Sequence, residues 1–347
     1  MIVLGVMSGS SLDGLDMALI NMKTEGYELL HSATIPLSAD ITKRLREYNS
    51  LTSLEYIKLD RDYSLSVAQI IKNFLSTIDH EISLIGVHGH TIIHMPSEGI
   101  TVQLGNGGII SSMTNIDTIT DFRIQDITRG GEGTPLVSIA DINLFVGYDY
   151  YLNLGGIANI TSTLSDDMTA YDICPCNQVL NHFAKKYFGL PYDNNGVIAR
   201  SGSFVSHCTE EIDKLPYWNK EAPKSLDNNW IQEEVILKID KGQAANNLLF
   251  TMTKWIAEKI SNAISVKNTR VFISGGGAYN TFLIECLETL ITTKNIELIV
   301  ADPKIVDYKE AILMAYLAFL RITNQHNVLS QVTKAKGDSI GGAHYKA

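Results

Sequence analysis

Carboxylates at four positions of the sequence could take part in chemistry, and two of them lie close to the N-terminus. Asp13 stands in the turn SGSSLDG, which separates two apolar, strand-like segments. An acid in such a turn either closes an Asx-type turn with Gly14 or orients Mg²⁺ and its waters beside phosphate groups. Asp16 follows inside the second apolar segment, where a charged side chain needs a partner. Because an ordinary hairpin needs only two turn residues, this long polar turn indicates a function.

The other two carboxylates, Asp172 and Glu310, lie at the ends of predicted elements. Asp172 ends the strand-like segment MTAYDI, where it could serve as a general base or cap the following helix, although Asn177 is better placed as that cap. Glu310 follows Asp307 by three residues at the predicted start of a helix, which is also the spacing of a capping box. The residues alone leave a functional and a structural interpretation open for both acids.

Three glycine clusters, at residues 9–14, 155–156 and 275–277, each follow a strand-like segment. Glycine lets backbone N–H groups approach phosphate oxygens closely and permits positive φ. A single cluster could be a simple tight turn, but three at corresponding places favour phosphate binding. The chain contains no G-x-x-x-x-G-K-[ST] motif, which excludes a P-loop, and GGGAYN lacks the last glycine of G-x-G-x-x-G, which disfavours a Rossmann dinucleotide site.

Three further segments carry reactive side chains. TDFRIQDITRGGEGTPL, residues 120–136, places charged residues among glycines, which is typical of a functional loop or of a solvated surface loop. The histidines of HGHTIIH begin at a strand end, which does not favour metal ligation. Cys174 and Cys176 of CPC could bind a soft metal, but no second Cys or His pair lies near them at ligand spacing.

The composition limits the classes of protein to consider. The 347 residues are 45% apolar and 19% charged, which is ordinary for a folded protein, and the formal net charge is −10. An acidic surface argues against nonspecific nucleic-acid binding, which depends on Lys and Arg. The first residues do not resemble a signal peptide, and the longest apolar run, AILMAYLAFL, is too short to span a bilayer. We expect a cytoplasmic protein with no nucleic-acid or membrane partner, whose four cysteines are thiols.

The elements that must position these side chains follow the same order twice. A strand, a Gly-rich turn and two further strands begin at residue 2 and again at residue 150, and each series continues with helices and strands. This pattern predicts an α/β fold with two similar domains that meet at a cleft. We place the domains at residues 1–140 and 141–347, with about the last 15 residues able to pack back on the first domain.

The motifs together resemble those of the anhydro-N-acetylmuramic acid kinase family. GVMSGSSLDGLDMAL is similar to the N-terminal family pattern G-[LV]-M-S-G-T-S-L-D-G-x-D. IGVHGHTIIHMP, TVQLGN, DFRIQDITRGGEGTPLV, LNLGGIANIT and YDICPCN are similar to later patterns in the same order. The resemblance continues through PKS, QAANNLLF, FISGGGAYN, KEAILMAYLA and GGAHY, so it covers essentially the whole chain.

This resemblance implies a fold and a reaction. The fold is that of actin, the sugar kinases and Hsp70, in which two RNase-H-like domains flank an ATP cleft. The reaction converts 1,6-anhydro-N-acetylmuramic acid, water and ATP to N-acetylmuramic acid 6-phosphate and ADP with Mg²⁺, during the recycling of cell-wall peptidoglycan amino sugars. The family also suggests a homodimer.

The resemblance assigns roles to individual residues. Asp172 matches the base that deprotonates the attacking water, Glu310 matches a second acid that faces the sugar, and Asp13 would lie near Mg²⁺. The residues implied to contact the sugar are His88, His90, Arg123, Asp126 and Asn177. The residues implied to bind ATP are Gly9, Ser10, Ser11, Leu12, Asp13, Gly14, Leu15, Asp16, Gly155, Gly156, Asn159, Gly275, Gly276 and Gly277.

The sugar side departs from the family pattern more than the nucleotide side. Cys174 and Cys176 replace the glycines of G-P-G, and a cysteine at positive φ would be strained. The other departures are Ile124 and Gln125 for usually basic residues, Ile93 for a common Arg, and His90 and Glu132 each for Gln. Two alternatives therefore stay open: a related anhydrosugar or sugar kinase of changed specificity, and a degenerate ATP- or sugar-binding sensor.

Overall fold

The structure is a computed structural model that describes residues 1–9, 12, 14–24, 26–165, 168–222 and 224–347. The predictions for Ser10, Ser11 and Asp13 lie outside the described residues. The chain divides into two compact units, which we call unit 1 (Met1–Val146 with Tyr308–Ala347) and unit 2 (Gly147–Asp307). This division differs from the predicted one, because the chain returns to unit 1 some 25 residues before the predicted tail.

Thirteen strands are assigned among the described residues. They are β1 Ile2–Met7, β2 Leu15–Met22, β3 Tyr27–Ile35, β4 Leu84–Val87, β5 His90–Met95, β6 Ile100–Leu104, β7 Thr118–Thr120, β8 Tyr150–Leu154, β9 Ile157–Ser162, β10 Thr169–Pro175, β11 Arg270–Ser274, β12 Glu297–Val300 and β13 Ala343–Tyr345.

Helices connect the strands of each unit. The α-helices are α1 Ala39–Arg46, α2 Ser53–Leu75, α3 Gly107–Thr114, α4 Ile124–Thr128, α5 Ser138–Leu144, α6 Asn177–Phe188, α7 Val197–Arg200, α8 Asn228–Trp230, α9 Leu237–Ile239, α10 Ala245–Ala263, α11 Thr281–Ile291, α12 Pro303–Ile322 and α13 Ser330–Thr333. A π-helical turn, Ile231–Ile236, joins α8 to α9. The 3-10 helices are Tyr48–Ser50, Pro96–Glu98, Asn194–Gly196, Ser206–Cys208, Ile212–Lys214, Pro216–Asn219, Gly276–Tyr279 and Thr292–Lys294. Within the described ranges, none of these helices combines the length and the apolar character needed to cross a membrane.

Both units contain the same five-stranded arrangement. In unit 1 the strand order is β3-β2-β1-β4-β7, extended by β13, and in unit 2 it is β10-β9-β8-β11-β12. In each, the first three strands in the chain are antiparallel and the next two are parallel to the first. This is the RNase-H-like order, so the predicted α/β fold with two RNase-H-like domains, the fold of actin, sugar kinases and Hsp70, is confirmed.

Helix α12 packs on the sheet of unit 1 through two glycines of central strands. A Cβ added to Gly5 on β1 would lie 1.8 Å from the carbonyl oxygen of Ala311, and one added to Gly86 on β4 would lie 2.3 Å from that of Met314. Only glycine allows the helix backbone to approach the strands this closely. The approach explains why the chain from Tyr308 onward belongs to unit 1.

Candidate active site

The second and third glycine turns lie side by side in unit 2. Strands β8 and β11 are parallel neighbours in which Ser274 pairs with Asn153, so the turns that follow them are adjacent. Gly275 has φ 82°, and a Cβ there would lie 2.4 Å from Oδ1 of Asn153. The predicted residues 155–156 and 275–277 are therefore brought together by the strand order alone.

Asn177 joins these two turns from α6. Its Nδ2 donates a hydrogen bond to the carbonyl oxygen of Leu154 at 2.8 Å, and its Oδ1 would lie 3.0 Å from a Cβ at Gly277. The helix begins at Asn177, with Cys176 in the capping position, so the expectation that Asn177 caps this helix is wrong. Its side chain instead holds the turns in place.

The carbonyls of Gly155 and Gly156 accept the first N–H groups of α6, from Cys176, Asn177 and Gln178. That helix terminus is consequently occupied by protein and does not offer its N–H groups to an anion. Open space lies on the other side of the turns, since a Cβ at Gly276 would meet nothing within 4 Å.

Asp172 lies on β10 in register with Asn159 of β9, which also pairs with Asn153 of β8. Its Oδ2 accepts a hydrogen bond from the N–H of Leu226 at 2.9 Å. In the part of the chain that the structure describes, no hydrogen bond to Oδ1 is found. Desolvation raises the pKa of the carboxyl above 3.8, and the Leu226 hydrogen bond opposes this shift. A partly free carboxylate with a raised pKa is suited to accept a proton.

The two cysteines of CPC do not have the backbone strain that a cysteine at positive φ would cause. Neither Cys174 nor Cys176 has positive φ, and a β-bulge lies between Asp172 and Cys174. Both thiols are buried, and burial raises the pKa of Cys176 to about 12 and that of Cys174 well above its ordinary value. Such thiols are inert, and no group of three or more His, Cys, Asp or Glu among the described residues could hold a metal ion.

In unit 1, Arg123 and His88 form one hydrogen-bonded group. Nε and Nη2 of Arg123 lie 3.0 and 2.8 Å from Nε2 of His88, and Nη1 donates to the carbonyl of Gly133 at 3.0 Å. Nδ1 of His88 lies 2.9 Å from the carbonyl oxygen of Gly89. A neutral imidazole with its proton on Nδ1 satisfies every contact, and burial followed by the charge of Arg123 lowers the pKa of His88 to about 3. The same burial lowers the pKa of Arg123 to about 10.

His90 lies next to the start of the first glycine turn. Its Nδ1 is 3.1 Å from Oγ of Ser8, and both side chains are buried. Within the turn, Leu12 has φ 57° and donates its N–H to the carbonyl of Gly9 at 3.3 Å. A left-handed leucine is unusual and marks a constrained turn.

The last residues of the turn have contacts with β3. A Cβ at Gly14 would lie 2.9 Å from the carbonyl oxygen of Ile35, so glycine is required there for packing as well. Leu15 is fully buried in the core. Asp16, the acid in the apolar strand, accepts a hydrogen bond from Oγ1 of Thr34 at 2.6 Å.

Asp126 is buried and has protein partners at both oxygens. Oδ2 accepts from the N–H of Gly133 at 2.8 Å, and Oδ1 accepts from Oγ1 of Thr333 at 2.7 Å. These bonds connect the glycine-rich loop after α4 to α13. The geometry gives Asp126 a role in holding the loop that contacts Arg123, and direct contact of Asp126 with the sugar stays a prediction.

Glu310 lies in the body of α12, because that helix begins at Pro303 and Asp302 accepts hydrogen bonds from its first turn. The capping-box interpretation of Glu310 is therefore wrong. Its side chain is exposed to solvent, yet desolvation by the surrounding protein raises the pKa of the carboxyl. The charge of Arg123 opposes this shift and that of Asp16 adds to it.

A buried ion pair next to Glu310 was not predicted. Nζ of Lys309 lies 2.6 Å from Oδ1 of Asp141 on α5, with side-chain exposures of 7% and 3%. Desolvation raises the pKa of Asp141, and Lys309 opposes that shift. The sequence signal was an acid within the apolar segment PLVSIADINLF.

The low pKa of His88 predicts a pH-dependent stability. The folded protein keeps His88 neutral down to about pH 3, whereas the unfolded chain binds a proton below about pH 6.5. Stability from this group is complete above pH 6.5 and decreases as the pH falls. Between pH 7 and 5.5 the loss is ~1.2 kcal/mol in the free energy of unfolding. Urea unfolding at the two pH values should show a loss that is larger in the wild type than in His88→Gln by about this amount, since His90 and His94, whose pKa values burial also lowers, are present in both proteins.

The control for that measurement is His326→Gln, at an exposed position. An equal pH dependence in the wild type and in His88→Gln would contradict the buried neutral imidazole.

Comparison with known proteins identifies the family to which the chain belongs. The family model described as anhydro-N-acetylmuramic acid kinase matches residues 1–347. The chain is 33% identical to a protein of that name from Legionella pneumophila (strain Corby), over 99% of this chain and 97% of the relative, and 31% identical to one from Nitrosomonas europaea over the full length of both. A solved structure, the activator of the 2-hydroxyisocaproyl-CoA dehydratase from Clostridium difficile with bound ADPNP, is similar with a TM-score of 0.46 and 15% identity over 93% of this chain and 96% of that one. At that score it adds nothing to the fold assignment, which rests on the strand order. The match over the whole chain confirms the predicted resemblance: the chain belongs to the anhydro-N-acetylmuramic acid kinase family.

Proposed function

We propose that the protein is an ATP-dependent kinase that converts 1,6-anhydro-N-acetylmuramic acid and water to N-acetylmuramic acid 6-phosphate, with release of ADP, in the recycling of cell-wall amino sugars. Family membership supports the reaction class. The observation that carries the proposal is the carboxyl of Asp172, which is desolvated and fixed at one oxygen by Leu226. It lies on the strand that pairs with the strand after the second glycine turn.

Asp172 acts as the general base in this proposal. Its carboxylate takes a proton from the water that attacks the anomeric carbon, and the bond from that carbon to the 6-oxygen breaks. The released 6-oxygen receives the γ-phosphoryl group, and ADP leaves. The proton stays on Asp172 until it is lost to solvent. Desolvation favours this role, because a base with a raised pKa has a stronger tendency to accept the proton.

The glycine turns of unit 2 are the proposed contacts for ATP phosphates. The space in front of Gly276, and the ordinary contact distance of 3.8 Å from a Cβ at Gly156 to Gln178, leave room for a ligand against the backbone. Backbone N–H groups in such turns bind phosphate oxygens without a side chain. Asn159, Gly275 and Gly277 support these turns through the strand pairing and packing described above.

Mg²⁺ is the proposed cofactor, with Asp13 as its nearest carboxylate. Mg²⁺ in kinases neutralises the charge of the phosphates and is held by one or two carboxylates, waters and the phosphates themselves. That pattern needs no three-residue cluster, and none is present in the described ranges. Asp16, which follows Asp13 closely and bonds Thr34, is the described acid nearest to it in sequence.

The sugar side is proposed to involve Glu310, Arg123, His88 and His90. Arg123 uses three of its N–H groups within the protein and keeps one hydrogen on each terminal nitrogen for a ligand. These free hydrogens favour an anionic group on the sugar. The departures at Ile93, Ile124 and Gln125, where basic residues are usual, instead favour a second candidate, a kinase for an anhydrosugar without the lactyl carboxylate. We also propose a homodimer and a cytoplasmic location, both from the resemblance.

The deciding measurement is ADP release with ATP and Mg²⁺ in the presence of 1,6-anhydro-N-acetylmuramic acid. Under the first proposal, turnover with this sugar exceeds turnover with 1,6-anhydro-N-acetylglucosamine by tenfold or more in kcat/KM, because the second sugar lacks the lactyl carboxylate and leaves the charge of Arg123 without its ligand partner. The reverse order would establish the second candidate. If the protein binds ATP but turns over neither sugar, both kinase proposals are rejected and the degenerate ATP- or sugar-binding sensor is the remaining alternative.

A further inference from the structure

A segment outside the predicted site surrounds Asp172. We call residues 217–226, described except for residue 223, the 217–226 segment. The N–H of Asp172 donates to the carbonyl of Lys224 at 2.9 Å, and the N–H of Leu226 donates to Oδ2 of Asp172 at 2.9 Å. The hydroxyl of Tyr217 donates to the carbonyl of Asp172 at 2.7 Å. The backbone and the carboxyl of the proposed base are thus held by one segment.

These three bonds act on β10, which is the terminal strand of the sheet of unit 2. The pairing of β10 with β9 shifts by a bulge between Asp172 and Cys174. A bulge interrupts the ladder and leaves a residue without its regular partner. Tyr217, which is 4% exposed, supplies a hydrogen bond at this point from outside the sheet.

Lys224 closes the segment on itself. Its Nζ donates to the carbonyls of Tyr217 at 3.3 Å and Trp218 at 3.5 Å, and it lies 4.9 Å from the ring centroid of Tyr217 and 5.8 Å from that of Tyr171. No carboxylate pairs with Lys224 among the residues that the structure describes. The ammonium is therefore committed to carbonyls and aromatic faces, which ties the start of the segment to its end.

We propose that Tyr217 and Lys224 are positioning residues for Asp172, which hold its carboxyl at a fixed place and shield it from water. This inference rests on the proposed function, in which Asp172 is the base. It goes beyond the base itself, because it assigns the control of that base to a cation and a phenol in a different part of the chain.

The groups around Asp172 determine how its pKa changes when the 217–226 segment is loosened. Tyr217 faces it from the segment, Tyr171 and Cys174 flank it on β10, and the ammonium of Lys224 lies over the rings of Tyr171 and Tyr217. Burial of Asp172 is the largest influence on its pKa, and the Leu226 hydrogen bond opposes burial. Admitting water therefore moves the pKa of Asp172 down, toward its ordinary value, in spite of the weakened hydrogen bond.

The test uses the full-length protein and the variants Lys224→Met, Lys224→Arg and Tyr217→Phe. Methionine keeps an unbranched chain against the rings and removes the ammonium, whereas arginine keeps a cation that can stack on them. We expect Lys224→Met to lower kcat by about 10- to 100-fold with an unchanged KM for ATP, and Lys224→Arg to recover most of this loss. The acid limb of kcat/KM should move to lower pH in Lys224→Met and Tyr217→Phe. The matched control is Lys214→Met, an exposed lysine outside the segment, which should retain the wild-type profile.

A second readout separates this inference from the proposed function. Titration of the Asp172 carboxyl by ¹³C NMR in the ligand-free protein, assigned with Asp172→Asn, needs no turnover. A lower pKa in Lys224→Met supports positioning even if the wild type turns over no anhydrosugar, and an unchanged pKa overturns it even if the wild type is an active kinase. A uniform loss of kcat without a shift in the acid limb would show a merely structural role and also overturn it. If Lys224→Met does not fold, as judged by near-ultraviolet circular dichroism, Tyr217→Phe carries the test, since it removes a single hydroxyl.

Discussion

Asp172→Asn is expected to reduce kcat for 1,6-anhydro-N-acetylmuramic acid by about 10²- to 10⁴-fold, with the upper end leaving no measurable turnover. Asparagine keeps the size of the side chain and can keep the hydrogen bond from the N–H of Leu226, but it cannot accept a proton from water. Because the change leaves the glycine turns intact, the affinity for ATP should stay within about twofold of the wild type. ADP release and equilibrium binding of ATP measure the two quantities separately.

The control for Asp172→Asn is Asp227→Asn, at an exposed position in the same unit. Asp227 caps α8 through hydrogen bonds from Asn229 and Trp230, and asparagine is an equally good cap. Wild-type kcat in this control together with the loss in Asp172→Asn assigns the effect to the base. Substantial residual activity in Asp172→Asn would refute its role.

The pH profile gives the same residue a second signature. Since desolvation raises the pKa of Asp172 in the folded protein, the base becomes protonated at a higher pH than an ordinary aspartate. The wild-type acid limb of kcat/KM should therefore lie above the ordinary value of 3.8. This profile is the baseline against which the Tyr217 and Lys224 variants are compared.

Local patterns in the sequence were sufficient for the elements and for the glycine turns of unit 2. The segment that forms β8, the glycine turn and β9 is short and continuous in the sequence, so its local pattern predicts the β8–β9 turn directly. The apolar residues from Leu248 to Ile264 recur at four-residue spacing, which predicts a helix face; all of them are buried, and α10 ends at Ala263, one residue before Ile264. That the two turns meet follows from the pairing of the parallel strands β8 and β11, which no local pattern contains.

What the sequence could not supply depends on contacts between distant residues. The packing of α12 on Gly5 and Gly86 decides which unit the helix belongs to, and no local pattern contains it. The pairing of Asp141 with Lys309, like the bond from Tyr217 to Asp172, joins residues far apart in the chain. Helix boundaries caused the errors about capping, because the spacing from Asp307 to Glu310 fits a capping box only if the helix begins there.

Gly5→Ala is expected to destabilise unit 1 strongly. The added Cβ would lie 1.8 Å from the carbonyl oxygen of Ala311 and 2.6 Å from the backbone nitrogen of Ala315, and neither atom can move without moving α12. Overpacking a well-packed core costs typically 1–3 kcal/mol, and a clash with backbone atoms of two residues of α12 places this change at about 3 kcal/mol or more. The melting temperature should fall by roughly 6–12 °C, measured by differential scanning calorimetry.

Gly337→Ala is the matched control, because a Cβ at Gly337 meets nothing within 4 Å. It should melt within about 2 °C of the wild type. The functional consequence follows from the position of Glu310, which directly precedes Ala311 on α12 and whose carboxyl is influenced by Arg123. A helix displaced by Gly5→Ala moves Glu310 relative to Arg123 in the same unit, so the surviving folded fraction should lose kcat as well as stability. If Gly5→Ala melts like Gly337→Ala, α12 does not approach β1 as closely as described, and the assignment of Glu310 to the group around Arg123 fails with it.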